Sequence, residues 1–392
     1  MNLLKKNILF FYFIYLIFGI YIYSILQISE FPQKYVFTEW LINYQGGFIR
    51  RGLMGELIFN ISTALNIEIK FLILIVQLVF YSIYFIFYYF LFSKIKINFF
   101  WVLIIFSPIL FAYPLIELMS LGRKDILIIS FFLIYSSINY KSLNSLYFSF
   151  IFFFGLSTFV HEITFFYLFH YLMVFYLIKE FTFKKEIEKF HIYIFFFFLI
   201  ILLYLNLFLH NRAIVDEIIN SYNYDDITAY SGAFSHLEPN LFTVLLGTLS
   251  HATILNVTKF LIVLLLNSLP FLYFIKFKNI KYFSTKNVFI LFFVLSLPVY
   301  VLVLDWGRVI YLNHNFFSIL LLLFFRFNLI NLDYLNTKIN NLNIKSKVFL
   351  FILICLLVSP DILSYNDLEY FPLLTQFLRF SDGIVEKMIL LN

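Results

Sequence analysis

The chain has 392 residues, of which 62% are hydrophobic and only 13% are charged. A soluble domain carries about 25% charged residues, so this composition excludes a water-soluble enzyme and indicates an integral membrane protein. The formal net charge of +6 fits lysines in short loops at a membrane surface, and we therefore expect the lipid bilayer as a partner and no nucleic acid.

Long apolar runs predict transmembrane helices, because about 20 apolar residues cross the hydrocarbon core of a bilayer. The sequence predicts an all-α, polytopic bundle of about 11 spans, within a range of roughly 10–12, in a single integral membrane domain over residues 1–392. The predicted spans are 7–27, 71–92, 99–117, 126–139, 146–161, 163–178, 190–210, 253–275, 287–304, 313–331 and 348–359. Residues 241–252 fit an additional re-entrant or interfacial helix.

Lysines mark alternate loops and thereby predict the orientation of the spans. They cluster at 5–6, 94–96, 141, 179–189, 276–286 and 338–347. Short cytoplasmic loops carry an excess of lysine and arginine, so this pattern places the N-terminus in the cytoplasm. The longest remaining loops, 28–70 and 211–252, are then external, and we expect a multi-pass protein of the bacterial inner (cytoplasmic) membrane.

The arginines do not follow the lysines. All except Arg326 fall on the predicted external side, where the topology rule disfavours them. A guanidinium binds a carboxylate or a phosphate through two parallel hydrogen bonds, which an ammonium does not. This property predicts a polar, anion-binding site on the external face. The external arginines are Arg50, Arg51, Arg123, Arg212, Arg308 and Arg379.

The first polar motif spans residues 44–56, in the first predicted external loop. Its glycines permit sharp turns and a close approach to a ligand, and its paired arginines suit a phosphate or pyrophosphate beside exposed amides. The motif supplies four predicted substrate-binding residues, which are Gly46, Gly47, Arg50 and Arg51. The alternative is an interfacial loop in which the arginines pair with Glu39 or Glu56.

Two further motifs place an arginine beside an aspartate at the predicted external end of a span. They are Gly122-Arg123-Lys124-Asp125 and Asp305-Trp306-Gly307-Arg308. We predict that Arg123, Asp125 and Arg308 bind substrate, together with Arg212 at the start of the second long external loop, and that Asp305 is a catalytic candidate. The alternatives are a snorkelling anchor for the first motif and an interfacial aromatic belt for the second.

The pair His161-Glu162 interrupts an apolar stretch, which is costly inside a membrane unless the two groups have partners or lie in a wet cavity. We predict both as catalytic residues, with Glu162 as the base, because it has no charged neighbour in sequence except His161 and burial favours proton transfer by a carboxylate. The alternative is a satisfied contact with an arginine. We expect no metal here, since His170 does not follow at helical ligand spacing.

The strings Asn43–Gly52, Gly122–Asp125 and Asp305–Arg308 resemble membrane proteins of polysaccharide biosynthesis clusters, some of which are identified as O-antigen polymerases. The resemblance implies an enzyme that polymerises lipid-linked oligosaccharide repeat units of O-antigen or capsule on the periplasmic face. The glycan would leave undecaprenyl pyrophosphate and join a sugar hydroxyl, without a metal or other cofactor. The expected partners are the undecaprenyl pyrophosphate-linked glycan and a chain-length regulator protein.

Two other functions fit the sequence. A multi-span membrane glycosyltransferase with a polyprenyl-phosphate sugar donor uses an acidic residue of the first external loop as its catalytic base, and Glu30 and Glu39 are the candidates. A transporter or flippase is the second alternative. Transporters bind their substrates near the midplane of the membrane, whereas the charges here crowd towards one predicted face.

Overall fold

The computed structural model describes residues 2–28, 35–183, 189–207, 212–222, 224, 227–228, 232–237, 246–250, 252–278, 296–300, 302–303, 305–360 and 369–370. This part of the chain is helical, as the apolar runs predict, apart from an isolated bridge and one pair of two-residue antiparallel strands, β1 (Val358–Ser359) and β2 (Glu369–Tyr370).

The α-helices follow one another with short connections. In chain order they are α1 (Asn2–Ile28), α2 (Tyr35–Leu41), α3 (Gly52–Leu65), α4 (Ile69–Ser93), α5 (Phe99–Ile105), α6 (Tyr113–Ile116), α7 (Asp125–Ser137), α8 (Leu143–Val160), α9 (Leu168–Ile178), α10 (Lys189–Leu207), α11 (Arg212–Asn220), α12 (Ile254–Phe274), α13 (Trp306–Arg326), α14 (Leu332–Asn341) and α15 (Ile344–Phe351). Short 3-10 turns cover Glu162–Tyr167 and Gly232–His236, and π turns cover Lys179–Phe183 and Ile352–Leu356.

Among the described residues, 6 helical segments are long and apolar enough to cross a membrane. They are Asn7–Leu26, Ile69–Ser93, Leu143–Val160, Glu162–Phe183, Ile254–Phe274 and Trp306–Arg326. The pair Leu332–Asn341 and Ile344–Leu356, bent by 103°, makes a seventh if it is one broken span. The chain is therefore a multi-pass membrane protein. The larger number of spans and their orientation stay predictions, and much of the predicted span 287–304 lies outside the described residues.

Several predicted elements differ from the structure, and two of them have a clear physical reason. The predicted span 99–117 is divided between α5 and α6, because Pro108 between them cannot donate a backbone hydrogen bond and its ring clashes with a continuing helix. Residues 305–312, which separate the predicted spans 287–304 and 313–331, are mostly helical, since α13 already begins at Trp306 and is buried along nearly its whole length. A polar sequence within a buried helix resembles a loop when only hydropathy is considered.

The chain forms two compact units. The first unit comprises Ile22–Tyr88 and Gly122–Val244, and the second comprises Met1–Tyr21, Tyr89–Leu121 and Leu245–Asn392. In the first unit, α7, α8 and α9 pack through aromatic rings such as the stacked pair Tyr135 and Tyr171, whose centroids lie 5.6 Å apart. This packing fixes the ends of α7 and α8, from which several of the predicted site residues project.

Candidate functional site

The first unit brings six ionisable side chains together, and we call this set the arginine cluster. Its members come from α2, from the residues just before α3 and α7, and from the turn that follows α8. They are Glu39, Arg50, Arg51, Lys124, His161 and Glu162. Residues distant in sequence therefore form one polar group at the end of an apolar helical scaffold.

Arg51 lies at the centre of the cluster. It precedes the first residue of α3 and has a left-handed backbone with φ of 66°, a conformation that is uncommon for residues other than glycine. Its Nε donates to both carboxylate oxygens of Glu162, at 3.0 and 2.8 Å, and its Nη2 contacts Oε1 as well. Its Nη1 donates to the Tyr35 hydroxyl at 3.2 Å. This charge-assisted fork holds the strained residue in place.

Glu162 is thus ion-paired in the fold, although the sequence gives it no charged neighbour except His161. The contact with an arginine, which was the alternative interpretation of this motif, is the arrangement found. Both carboxylate oxygens are held by Arg51, and such a group is poorly placed to accept a proton from a substrate hydroxyl. The role of Glu162 as the base stays a prediction, and this geometry argues against it.

Arg50 is held much less tightly than Arg51. Its Nη1 lies 3.7 Å from Glu162 Oε1, its Nη2 donates to the backbone carbonyl of His236, and its side chain is 18% exposed. Its Nε is buried and has no hydrogen-bond partner within the described part of the chain. Arg50 therefore keeps donor capacity for a further anion.

His161 lies between the two carboxylates of the cluster. Its Nε2 is 3.5 Å from Glu39 Oε1, and its Nδ1 is 3.3 Å from Glu162 Oε2. The backbone N–H of Ile163 also lies 3.2 Å from Nδ1, so both ring nitrogens have polar neighbours. Glu39 is fully buried and lies 3.8 Å from Arg51 Nη1.

Lys124 is the residue of the cluster that the sequence did not single out. Its side chain is fully buried, its Nζ donates to the Arg51 carbonyl at 2.7 Å, and its Nζ lies 6.0 Å from the centroid of the Trp40 ring. Burial lowers the pKa of Lys124 to about 7, and the nearby Glu39 carboxylate only partly offsets that effect. A lysine in an Arg-Lys-Asp string resembles a surface anchor, and only its packing shows otherwise.

The turn before α7 is fixed by side chains from two other helices. Gly122 has φ of +76°, and its carbonyl accepts hydrogen bonds from Trp40 Nε1 at 2.7 Å and Gln77 Nε2 at 2.9 Å. Arg123 then lies over the Tyr35 ring, 4.4 Å from its centroid, in a cation–π contact. Asp125 is buried in the first turn of α7. Both predicted substrate-binding residues of this motif therefore lie in the same unit as Arg51.

No protein-family model, curated protein or solved structure matches this chain. The chemistry of the site therefore follows from its own residues. The two arginines and the two glutamates balance each other in charge, so a protonated Lys124 gives the cluster an excess of one positive charge. A partly exposed guanidinium in such a cluster suits an anionic ligand.

Other predicted site residues lie outside the cluster. Asp305 and Arg308 belong to the second unit, where Arg308 Nη1 lies 3.4 Å from Asp305 Oδ2. Arg212 begins α11, but its side chain lies outside the described residues, as do Glu30 and Arg379. The polar, anion-binding site on the external face stays a prediction.

The glycines of the first motif mostly serve packing within the protein. A Cβ atom on Gly46 would lie 2.5 Å from the carbonyl oxygen of Ile214 in α11, and one on Gly55 would overlap the carbonyl oxygen of Ile42. Gly47 has φ of +120° and donates to the Tyr44 carbonyl at 3.0 Å in a tight turn. Their role in substrate binding stays a prediction, whereas their need for close backbone contact follows from the fold.

We expect Gly55→Ala to destabilise the protein by about 1–3 kcal/mol, the usual cost of overpacking. Neither carbonyl that faces Gly55, from Ile42 and Trp40, is able to move as a side chain would. Thermal unfolding in detergent measures the effect. Gly247→Ala is the matched control, because no described atom lies within 4 Å of its added methyl group. Equal melting temperatures for the two variants would contradict the prediction.

Proposed function

We propose that the arginine cluster binds the pyrophosphate of an undecaprenyl pyrophosphate-linked glycan, and that the protein polymerises lipid-linked repeat units of O-antigen or capsule on the periplasmic face. The observation that carries the proposal is that contacts within the protein use only some of the hydrogen-bond donors of Arg50. Its neighbour Arg51 is neutralised by a complete fork to Glu162. Arg50 instead has a backbone carbonyl, a 3.7 Å contact with Glu162 and a buried Nε–H for which the described residues supply no partner.

The surroundings of Arg50 suit a phosphate ester. Phosphate oxygens accept two parallel hydrogen bonds from a guanidinium, and a pyrophosphate carries more charge than one arginine neutralises. Lys124 supplies a second positive charge behind the Arg51 backbone. The helices beside the cluster are apolar enough to lie in lipid, which fits a ligand with a polyprenyl tail and an anionic head.

The proposed reaction forms one bond and breaks one. The oxygen of the acceptor sugar hydroxyl bonds to the anomeric carbon of the growing chain, and the bond from that carbon to the pyrophosphate oxygen breaks. The undecaprenyl pyrophosphate leaves with the electron pair, stabilised by arginine. The hydroxyl proton goes to a base, for which Glu39 is the better-placed carboxylate of the cluster because Arg51 holds both oxygens of Glu162.

The test is the glycan ladder of a strain that lacks the protein and is complemented with variants. We expect Arg50→Lys to leave single repeat units with normal protein accumulation, because lysine keeps the charge but loses the fork. Arg326→Lys is the matched control, since Arg326 lies in the last turn of α13, in the second unit, with its guanidinium carbon 5.8 Å from the centroid of the Phe327 ring. A complete ladder with Arg50→Lys would remove the support for this site, and loss of every repeat would favour an earlier transferase or a flippase.

A single-sugar glycosyltransferase with a polyprenyl-phosphate donor is the second candidate, and the position of Glu39 favours it. That class uses an acid of the first predicted external loop, and Glu39 is fully buried within the arginine cluster. The same complementation separates the two functions. A strain without a glycosyltransferase makes repeats that lack one sugar, whereas a strain without a polymerase makes complete repeats that are not joined.

A further inference from the structure

We propose that Lys124 takes up a proton when an anionic headgroup binds beside Arg50 and Arg51, so that the arginine cluster binds the anion and the proton together. This inference rests on the proposed anion site, but it concerns a residue that has no direct part in the transfer. It makes Lys124 a positioning residue that sets the charge of the site through Arg51.

The burial of Lys124 is the first support. No part of its side chain is exposed, and the partner of its Nζ is a neutral carbonyl, that of Arg51 at 2.7 Å. In the described part of the chain, no carboxylate forms an ion pair with Nζ within 4.0 Å. A buried ammonium without a paired carboxylate is strongly disfavoured relative to the neutral amine.

The charges that face Lys124 come from every element packed around it, and they nearly cancel. Glu39 of α2 accepts from the Lys124 backbone N–H at 3.4 Å, while Arg51 and Glu162 neutralise each other. Arg50 and His161 lie behind this pair, and Arg123 and Asp125 flank Lys124 in sequence. With the surroundings close to neutral, an added anion decides which form of Lys124 is favoured.

The coupling has a defined sign. An anion beside the cluster favours the protonated amine, and by reciprocity a protonated amine favours the anion. Because burial holds the pKa of Lys124 at about 7 without the anion, anion affinity is highest below that pH. Above it, affinity falls by up to about tenfold per pH unit, until the pH passes the higher pKa of the bound state.

Isothermal titration calorimetry on the purified full-length protein tests the coupling. The probe is P1,P2-dimethyl pyrophosphate, whose two negative charges do not titrate near neutral pH. Titrations at pH 8 in two buffers of different ionisation enthalpy give the number of protons taken up. We expect more than half a proton per anion for the wild type. We expect none for Lys124→Met, whose affinity no longer depends on pH.

Two control variants separate Lys124 from other groups. Lys70→Met removes a partly exposed lysine that pairs with Glu68, and His161→Gln removes the imidazole of the cluster; both are expected to keep the proton uptake. Uptake that persists in Lys124→Met but is lost in His161→Gln would overturn the assignment. Binding by the wild type without proton uptake would overturn this inference alone, whereas no binding at any pH would overturn the proposed anion site with it.

Discussion

Arg51→Met is expected to destabilise the protein by up to about 3–5 kcal/mol, the cost of removing one partner of a fully buried ion pair, because Arg51 and Glu162 are only 11% and 17% exposed. The substitution leaves the Glu162 carboxylate without the three guanidinium contacts that it has in the fold. It also removes a positive charge 3.8 Å from the fully buried Glu39. The melting temperature in detergent should fall by roughly 5 °C.

The double variant Arg51→Met with Glu162→Gln should regain much of this loss, because it removes both charges of the pair. The four melting temperatures form a double-mutant cycle, which isolates the interaction between the two side chains. Arg326→Met, at the C-terminal end of α13, controls for the loss of an arginine as such. Additive effects of the two single substitutions would contradict the central position of the Arg51–Glu162 pair.

Hydropathy predicts the long spans well where an apolar run is continuous. The predicted span 71–92 corresponds to α4 (Ile69–Ser93), and 253–275 corresponds to α12 (Ile254–Phe274). In such runs the length of the apolar sequence is enough to predict a membrane-spanning helix. Each residue adds about 1.5 Å to the helix, and in lipid every backbone N–H and C=O must find its hydrogen-bond partner within the segment.

The same reasoning fails where tertiary packing decides. Arg308 makes the start of α13 resemble a loop, and Asn313 and His314 lie further along the same helix. They are buried against other side chains of the second unit; for example, Asn313 donates to the Tyr300 hydroxyl at 3.0 Å. A hydropathy profile places polar residues outside the membrane, because it contains no information about polar partners on other segments of the chain.

The sequence selects Arg51 and Glu162 but does not pair them with each other. Arg51 is selected because an arginine on the predicted external side opposes the topology rule, and Glu162 because a charged group in an apolar stretch requires a partner; 111 positions separate the two. No spacing rule connects two residues on different elements at that distance. Lys124 shows the same limit, because its burial depends on Trp40 and Arg51, and nothing in the string around Lys124 indicates either contact.

Glu39→Gln is expected to lower glycan transfer by about 10²- to 10⁴-fold, the contribution that a positioned acid–base group typically makes. Glu39 is fully buried within the arginine cluster. Its contacts with Arg51 and His161, at 3.8 and 3.5 Å, are longer than the bonds that hold Glu162. A carboxylate is able to accept the hydroxyl proton, and the nearly isosteric amide removes that capacity with little change in packing.

The comparison with Glu162→Gln makes the prediction decisive. Glu162→Gln weakens the fork to Arg51, so we expect it to lower protein accumulation or melting temperature more than the rate per folded molecule.

The measurement is the glycan ladder normalised to the amount of protein in the membrane, with Asp305→Asn as a variant of the second unit. A normal ladder with Glu39→Gln, together with lost transfer by a stably accumulated Glu162→Gln, would restore Glu162 as the base. Loss of a single sugar with Glu39→Gln, in place of unjoined complete repeats, would instead identify the glycosyltransferase chemistry that uses an acid of the first predicted external loop.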